Sequence, residues 1–233
     1  MMQSDIFFLS KSSWLSNEMR NFAARFKMKK IRTKTFAMEK GWTLFMDRDG
    51  VVNEQIIGGY VMDTEQFVFN KGVFEALEIL HQLFDRVLLV TNQQCVGKGL
   101  CPMSTIDHVH DWMQQQLVAR NVAFDKIYCC PHLAAVGCDC RKPQPGMALQ
   151  AQRDFPDIDF SHSVMVGDSL TDIQFAQNAG IRAVHVGAIR HPEFEEIQKI
   201  TPLHYDSLFE FAQSLGNSKF QVSGSRFQEE STK

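Results

Sequence analysis

Along the chain, short apolar runs alternate with segments whose apolar residues recur every three to four positions, and the alternation is regular from Trp42 to Val186. The runs Trp42–Met46, Val87–Val90, Lys126–Cys129, Ser163–Val166 and Ala183–Val186 predict strands. Helical spacing predicts helices near Val73–Leu83, Ser104–Val118, Gly146–Arg153 and Leu170–Ala179, with a further one at Ser207–Leu215. Continuous apolar strands separated by amphipathic helices imply a parallel sheet covered on both faces. That is a Rossmann-like α/β fold, in which ligands gather at the carboxyl ends of the strands.

The pattern divides the chain into a basic extension at 1–40, an α/β domain at 41–215 and a polar tail at 216–233. The extension carries nine Lys/Arg against three Asp/Glu, including the run Lys27-Met28-Lys29-Lys30-Ile31-Arg32, and has no clear period. Such a segment can serve as a basic arm for a membrane or nucleic acid, as an organelle-targeting sequence, or as a plain upstream extension. The last is expected, because Met38 stands just before the first strong strand.

The 233 residues are 44% hydrophobic and 22% charged, with a formal net charge of -3, which is an ordinary globular composition. Outside the extension there is no basic surplus, so no nucleic-acid partner is expected. No apolar run reaches the roughly 20 residues that a membrane span needs, and the start lacks a proper signal sequence. A cytoplasmic monomer acting on a small molecule is the expectation.

Two segments carry the first candidate chemistry. Asp47-Arg48-Asp49-Gly50 follows the first strand and places two carboxylates two residues apart, so an extended chain aims both the same way. Acids at a buried strand end need a partner, and Mg2+ favours carboxylate and phosphate oxygens; a solvated Asp-Gly turn is the plainer alternative. Further along, Cys130-Pro131-His132 and Cys138-Asp139-Cys140 offer three thiolates and one imidazole within eleven residues. That set suits a structural, four-coordinate Zn2+, against the alternative of reduced, partly buried cysteines. Cys95, Cys101 and Cys129 carry no ligand pattern.

Three further segments alter the weight of the acidic motif. Thr91-Asn92-Gln93 ends the second predicted strand, Arg141-Lys142-Pro143 supplies cations in a loop, and Gly167-Asp168 ends the fourth. In this order the four segments resemble the motifs of the haloacid dehalogenase superfamily of phosphatases, from about Trp42 to Gly187. The resemblance implies that Asp47 is a nucleophile forming an aspartyl-phosphate and that Asp49 is the general acid and base. It further implies Mg2+ on Asp47, the carbonyl of Asp49 and Asp168, with Thr91, the Asn92 amide and Lys142 at the phosphate. Asp172 is left as either a support behind the ligands or a helix N-terminal acid.

The zinc loop with Arg141-Lys142-Pro143 narrows the resemblance to the branch of heptose 1,7-bisphosphate and histidinol-phosphate phosphatases, which lack a large cap domain. The short spacings agree, with about 44 residues from Asp47 to Thr91 and about 51 from Thr91 to Lys142. Gly59-Tyr60-Val61, Thr91-Asn92-Gln93 and the Arg141–Met147 run lean towards the heptose enzymes. The five-residue gap between His132 and Cys138 leans towards the histidinol-phosphate enzymes. On this resemblance Asn53, Gly59, Tyr60, Asn92, Gln93 and Arg141 are expected at the substrate. Val51, Gln94-Cys95 and Ser169 depart from the residues frequent at those places.

A nucleic-acid 3′-phosphatase, a zinc-stabilised binding module and a receiver domain are the remaining readings. Each is disfavoured: the first by charge, the second by the paired acids, the third by its lack of both the Asp-x-Asp and the Cys-x-His segments.

Overall fold

The computed structural model describes residues 41–188 and 193–224, with side chains to residue 216. The expected basic extension at 1–40 and the end of the polar tail lie outside the described residues. Six strands form one sheet: β1 (Thr43–Met46), β2 (Arg86–Asn92), β3 (Lys126–Cys130), β4 (Ser163–Gly167), β5 (Arg182–Val186) and β6 (His204–Tyr205). Their order is β3-β2-β1-β4-β5-β6, and every pair is parallel.

The register explains why both faces must be covered. Phe45 pairs with Leu88 and Met165, and all three point into one apolar layer. Leu44 pairs with Val87 and Val164, and these point into the opposite layer, as the two-residue period of a strand requires. On the second face pack α1 (Val73–Leu80), α2 (Met103–Val118) and α6 (Leu208–Gly224). On the first lie α3 (Gly146–Asp154), α4 (Leu170–Ala179) and α5 (Phe194–Ile200). Phe45 is wholly buried, which stabilises the fold by roughly 1.5–3 kcal/mol.

Helix ends follow local chemistry. Gly180 closes α4 in the left-handed conformation at φ 71°, and its amide donates to the carbonyl of Gln177, a common helix terminator. The expected strands and helices are present with small shifts of boundary. Two elements, α5 and β6, were not expected, and α6 continues to Gly224 rather than ending at Leu215. Between β1 and α1 there is only a 3-10 turn, Thr64–Gln66, capped by the Asp63 side chain. The described residues therefore insert no cap domain over the carboxyl edge of the sheet.

Candidate active site and metal-binding loop

The central strands β1, β2 and β4 end side by side, and their ends supply the candidate site. The Asp47 amide still donates to the carbonyl of Val166 at 3.0 Å, so the first carboxylate leaves the sheet in register with β4. The chain then turns sharply, with the amides of Val51, Val52 and Asn53 all donating to the carbonyl of Arg48. The Asn70 side chain closes this turn by donating to the carbonyls of Gly50, Val51 and Asn53.

Gly50 sits at φ 86°, and a Cβ there would fall 1.9 Å from Oδ2 of Asp168. Gly167 is restricted by space alone, since a Cβ there would run into the Asp172 side chain. Gly50 lets the turn after β1 approach Asp168, and Gly167 lets Asp172 of α4 lie close to the end of β4.

Lys142 lies beneath this meeting point, 2% exposed. Its ammonium nitrogen is 2.6 Å from Oδ1 of Asp47 and 2.6 Å from Oδ1 of Asp172, and it donates to the carbonyl of Val90 at 2.8 Å. All three of its donors are thus in use. The Asn92 side chain fixes the lysine from outside: its carbonyl oxygen accepts from the Lys142 amide and its nitrogen donates to the Lys142 carbonyl.

Asp47, Asp168 and Asp172 place one oxygen each within 4.8 Å of one another. Burial and the Asp172 charge, against the pull of Lys142, push the Asp47 carboxyl up to about 7. Burial with the charges of Asp172 and Asp47 pushes Asp168 up to about 8. Three carboxylates around one ammonium leave an excess of negative charge, and hard oxygen donors at this spacing fit a magnesium ion. The oxygens of Asp172 are occupied, one by Lys142 and the other by the amide and hydroxyl of Ser169. Asp47 and Asp168 are therefore the carboxylates open to a cation. Behind Asp168, buried His185 donates from Nε2 to the Asp168 carbonyl at 3.1 Å, and its Nδ1 faces Nδ1 of His204 at 2.8 Å.

Asp49 has a different environment. Nη2 of Arg48 lies 3.0 Å from both of its oxygens, Asn53 donates to one at 2.9 Å and Gln93 to the other at 2.8 Å. Burial opposes ionisation, but the Arg48 charge and these hydrogen bonds prevail and hold the carboxyl below its ordinary value. Its side chain keeps 23% of its surface. Gln93 also donates to the Thr91 hydroxyl at 2.9 Å.

The residues expected at the substrate have protein partners of their own. Asn53 and Gln93, expected at the substrate, are buried and spend their side-chain amides on Asp49. Asn92 spends its side chain on Lys142. Gly59 and Tyr60 lie at the surface, where the Tyr60 phenol accepts from Lys98 at 2.7 Å. Arg141 donates to the His132 carbonyl at 3.3 Å.

Several contributing residues were not anticipated: Arg48, Asn70, Lys98, His110 and His185. A signal existed for His110, because it falls on the apolar stripe of α2 with Ile106, Val109, Met113 and Leu117. A polar residue on such a stripe needs a partner.

The second cluster forms as expected. Sγ of Cys130 is 3.6 Å from that of Cys138 and 3.2 Å from that of Cys140; Cys138 and Cys140 are 3.4 Å apart. Nδ1 of His132 is 3.2 Å from Cys140 and 3.7 Å from Cys130. Sulfurs bound at about 2.3 Å to a tetrahedral zinc lie about 3.8 Å apart, so the four groups already form a slightly contracted cage. Burial and the neighbouring sulfurs push the Cys140 thiol up to about 12. Against burial, hydrogen bonds from Cys140 and the Arg141 backbone draw Cys138 down to about 7. Crowded thiols of this kind suit a soft dication. The loop is also joined to the end of β2, since the Gln93 amide donates to the Cys130 carbonyl at 2.7 Å and the Gly97 amide to that of Pro131 at 2.9 Å.

Comparison with known proteins agrees with this arrangement. A family model described as HAD-hydrolase-like matches residues 139–207. A D-glycero-alpha-D-manno-heptose-1,7-bisphosphate 7-phosphatase of Mycobacterium bovis is 37% identical over 180 residues, covering 76% of this chain and 93% of the relative. The D-glycero-beta-D-manno-heptose-1,7-bisphosphate 7-phosphatase of Vibrio cholerae is 39% identical over 172 residues, covering 71% and 91%. Among solved structures, the D,D-heptose 1,7-bisphosphate phosphatase of B. bronchiseptica, complexed with magnesium and phosphate, superposes with a TM-score of 0.66. It is 30% identical and covers 76% of this chain and 99% of its own.

Proposed function

The chain belongs to the haloacid dehalogenase-like phosphatases, in the branch of the heptose 1,7-bisphosphate 7-phosphatases, and from that premise we propose that it removes the C7 phosphate of a D-glycero-D-manno-heptose 1,7-bisphosphate. The observation that carries the reading is the convergence of Asp47, Lys142, Asp168 and Asp172 at the carboxyl edge of the sheet, with Asp49 held separately beside them.

Asp47 is the nucleophile. Lys142 holds one of its oxygens and leaves the other directed to the incoming phosphorus, so an aspartyl-phosphate forms as the ester bond to the sugar breaks. Asp49, ionised in the free protein, takes up the proton of a monoanionic phosphate ester and passes it to the departing sugar oxygen; again a carboxylate, it then takes one from the water that hydrolyses the aspartyl-phosphate. The Thr91 hydroxyl accepts from Gln93, which leaves its own hydrogen to donate to a phosphate oxygen. Asp172 balances Lys142, so the lysine remains charged inside the fold.

Asp47, Asp168 and the backbone carbonyl of Asp49 would hold Mg2+, which when bound neutralises charge between the nucleophile and the phosphate. Cys130, His132, Cys138 and Cys140 would hold Zn2+ as a structural ion, bracing the loop that leads into Arg141 and Lys142. Arg141, Gly59 and Tyr60, all at least partly exposed, would receive the remainder of the sugar phosphate. Among the described residues no helix is long and apolar enough to cross a membrane; the substrate is a small phosphate ester.

Phosphate release in Mg2+ from both anomers of the heptose bisphosphate and from histidinol phosphate tests the assignment. A kcat/KM for one heptose anomer at least about tenfold above that for histidinol phosphate is expected, equivalent to about 1.4 kcal/mol in the transition state. Equal or better turnover of histidinol phosphate overturns it. Asp47→Asn is expected to lose more than about a thousandfold in turnover with the fold retained.

A further inference from the structure

Among the described residues Arg48 is the largest fully buried side chain, and in the sequence it lies between the two acids of the first motif. Its guanidinium is used on two sides. Nη2 bridges the oxygens of Asp49, and Nη1 lies 3.1 Å from Nε2 of His110, which reaches across from α2. A guanidinium nitrogen can only donate, so Nε2 of His110 must be the acceptor and the imidazole must be neutral. Burial and the Arg48 charge press the same way, holding the His110 imidazole down to about 3.

The plane of a guanidinium is fixed once two of its nitrogens have partners in different directions. Here one partner is Asp49, the group that must meet the leaving oxygen, and the other is His110. We infer that His110 is a positioning residue for the reaction: it orients Arg48, and through Arg48 it sets the direction of the Asp49 carboxylate. Asn53 and Gln93 hold the same carboxylate from its other sides, each by one hydrogen bond. His110 touches neither carboxylate and is 5% exposed, so it acts only through the arginine.

The inference rests on the assignment of Asp49 as general acid, and a comparison of leaving groups separates the two. An alkyl phosphate needs a proton on its departing oxygen, whereas 4-nitrophenyl phosphate releases a stable anion unaided. The ratio kcat/KM ends at formation of the aspartyl-phosphate, so it isolates the acid role from the later activation of water. His110→Leu keeps the bulk and removes the acceptor; His110→Gln keeps an acceptor oxygen.

For His110→Leu, kcat/KM on the alkyl ester is expected to fall by about ten- to a hundredfold. On the aryl ester the change should stay within about threefold, and His110→Gln should recover most of the loss. Equal losses on both esters, with a lowered melting temperature, would mean that His110 merely fills and satisfies the core, and would overturn the inference. Unchanged kinetics on the alkyl ester would overturn it as well. Asp49→Asn is the reference: if it lacks the same leaving-group dependence, the assignment of Asp49 fails and the role of His110 falls with it. If Asp49→Asn has the dependence and His110→Leu lacks it, only the inference about His110 is lost.

Discussion

Lys142 and Asp172 form an ion pair at 2.6 Å that is closed to solvent from both sides, with side chains 2% and 0% exposed. Both charges have left water, so the pair is sensitive to loss of either member. Asp172→Ala leaves Lys142 with Asp47 alone and also removes the acceptor for the Ser169 amide and hydroxyl. Destabilisation of about 3–5 kcal/mol is expected, read as a lowered urea midpoint. A loss below about 1 kcal/mol would mean that water screens the pair after all.

The raised carboxyls give a pH dependence with a definite sign. In metal-free protein Asp47 titrates near 7 and Asp168 near 8, both above the ordinary value of 3.8. Across that interval the folded chain holds protons that the unfolded chain has released, so stability falls as pH rises. His110, buried and neutral, works the opposite way, but only below its ordinary value of 6.5. The Cys138 thiol, drawn down to about 7 from 9.0, also works the opposite way above about pH 7 once zinc is removed, so the carboxyls should dominate between about pH 6.5 and 7.5. Urea midpoints measured with a chelator are therefore expected to decline over this window, and saturating Mg2+ should flatten the decline because the cation favours the ionised carboxylates. A midpoint that rises with pH in the chelator would contradict the assignment.

Gly50→Ala tests the approach of the strand ends. The new methyl meets the Asp168 carboxylate, and the backbone at φ 86° is unfavourable to any side chain. We expect at least about a tenfold weaker apparent affinity for Mg2+, measured as the concentration that half-restores activity after chelation. An unaltered Mg2+ requirement would show that Asp168 moves aside without consequence.

Cys138→Ser should remove one equivalent of zinc by elemental analysis. The melting temperature should fall by roughly 5 °C or more, since 1 kcal/mol shifts a domain of this size by roughly 2–4 °C. Activity should drop afterwards, as the loop into Lys142 loosens. Unchanged zinc content and melting temperature would rule out the four-ligand cage.

The sheet was legible because its strands are nearly unbroken apolar runs, and helix Leu170–Ala179 was legible to the residue. β6 is only two residues long, His204–Tyr205, too short for any period to register. Asp47, Thr91 and Asp168 come together because each lies at a strand end and a parallel sheet brings such ends together, and the loop that follows β3 carries Lys142 to Asp47. What the sequence could not convey is direction. Asn53, Asn92 and Gln93 carry amides that suit a substrate equally well, yet their neighbours Asp49 and Lys142 are separated from them by up to 50 residues and claim them first. The role of Asp172 is hidden in the sequence for the same reason: Lys142 is remote in the chain and adjacent in space.

The paired hydrogen bonds between the Asn92 amide and the backbone of Lys142 join the tip of β2 to a loop 50 residues further on. Conformational freedom in that loop is surrendered once, when the chain folds, and need not be surrendered again each time a phosphate arrives. A site over which the described residues insert no cap can therefore be ready for chemistry before any ligand docks.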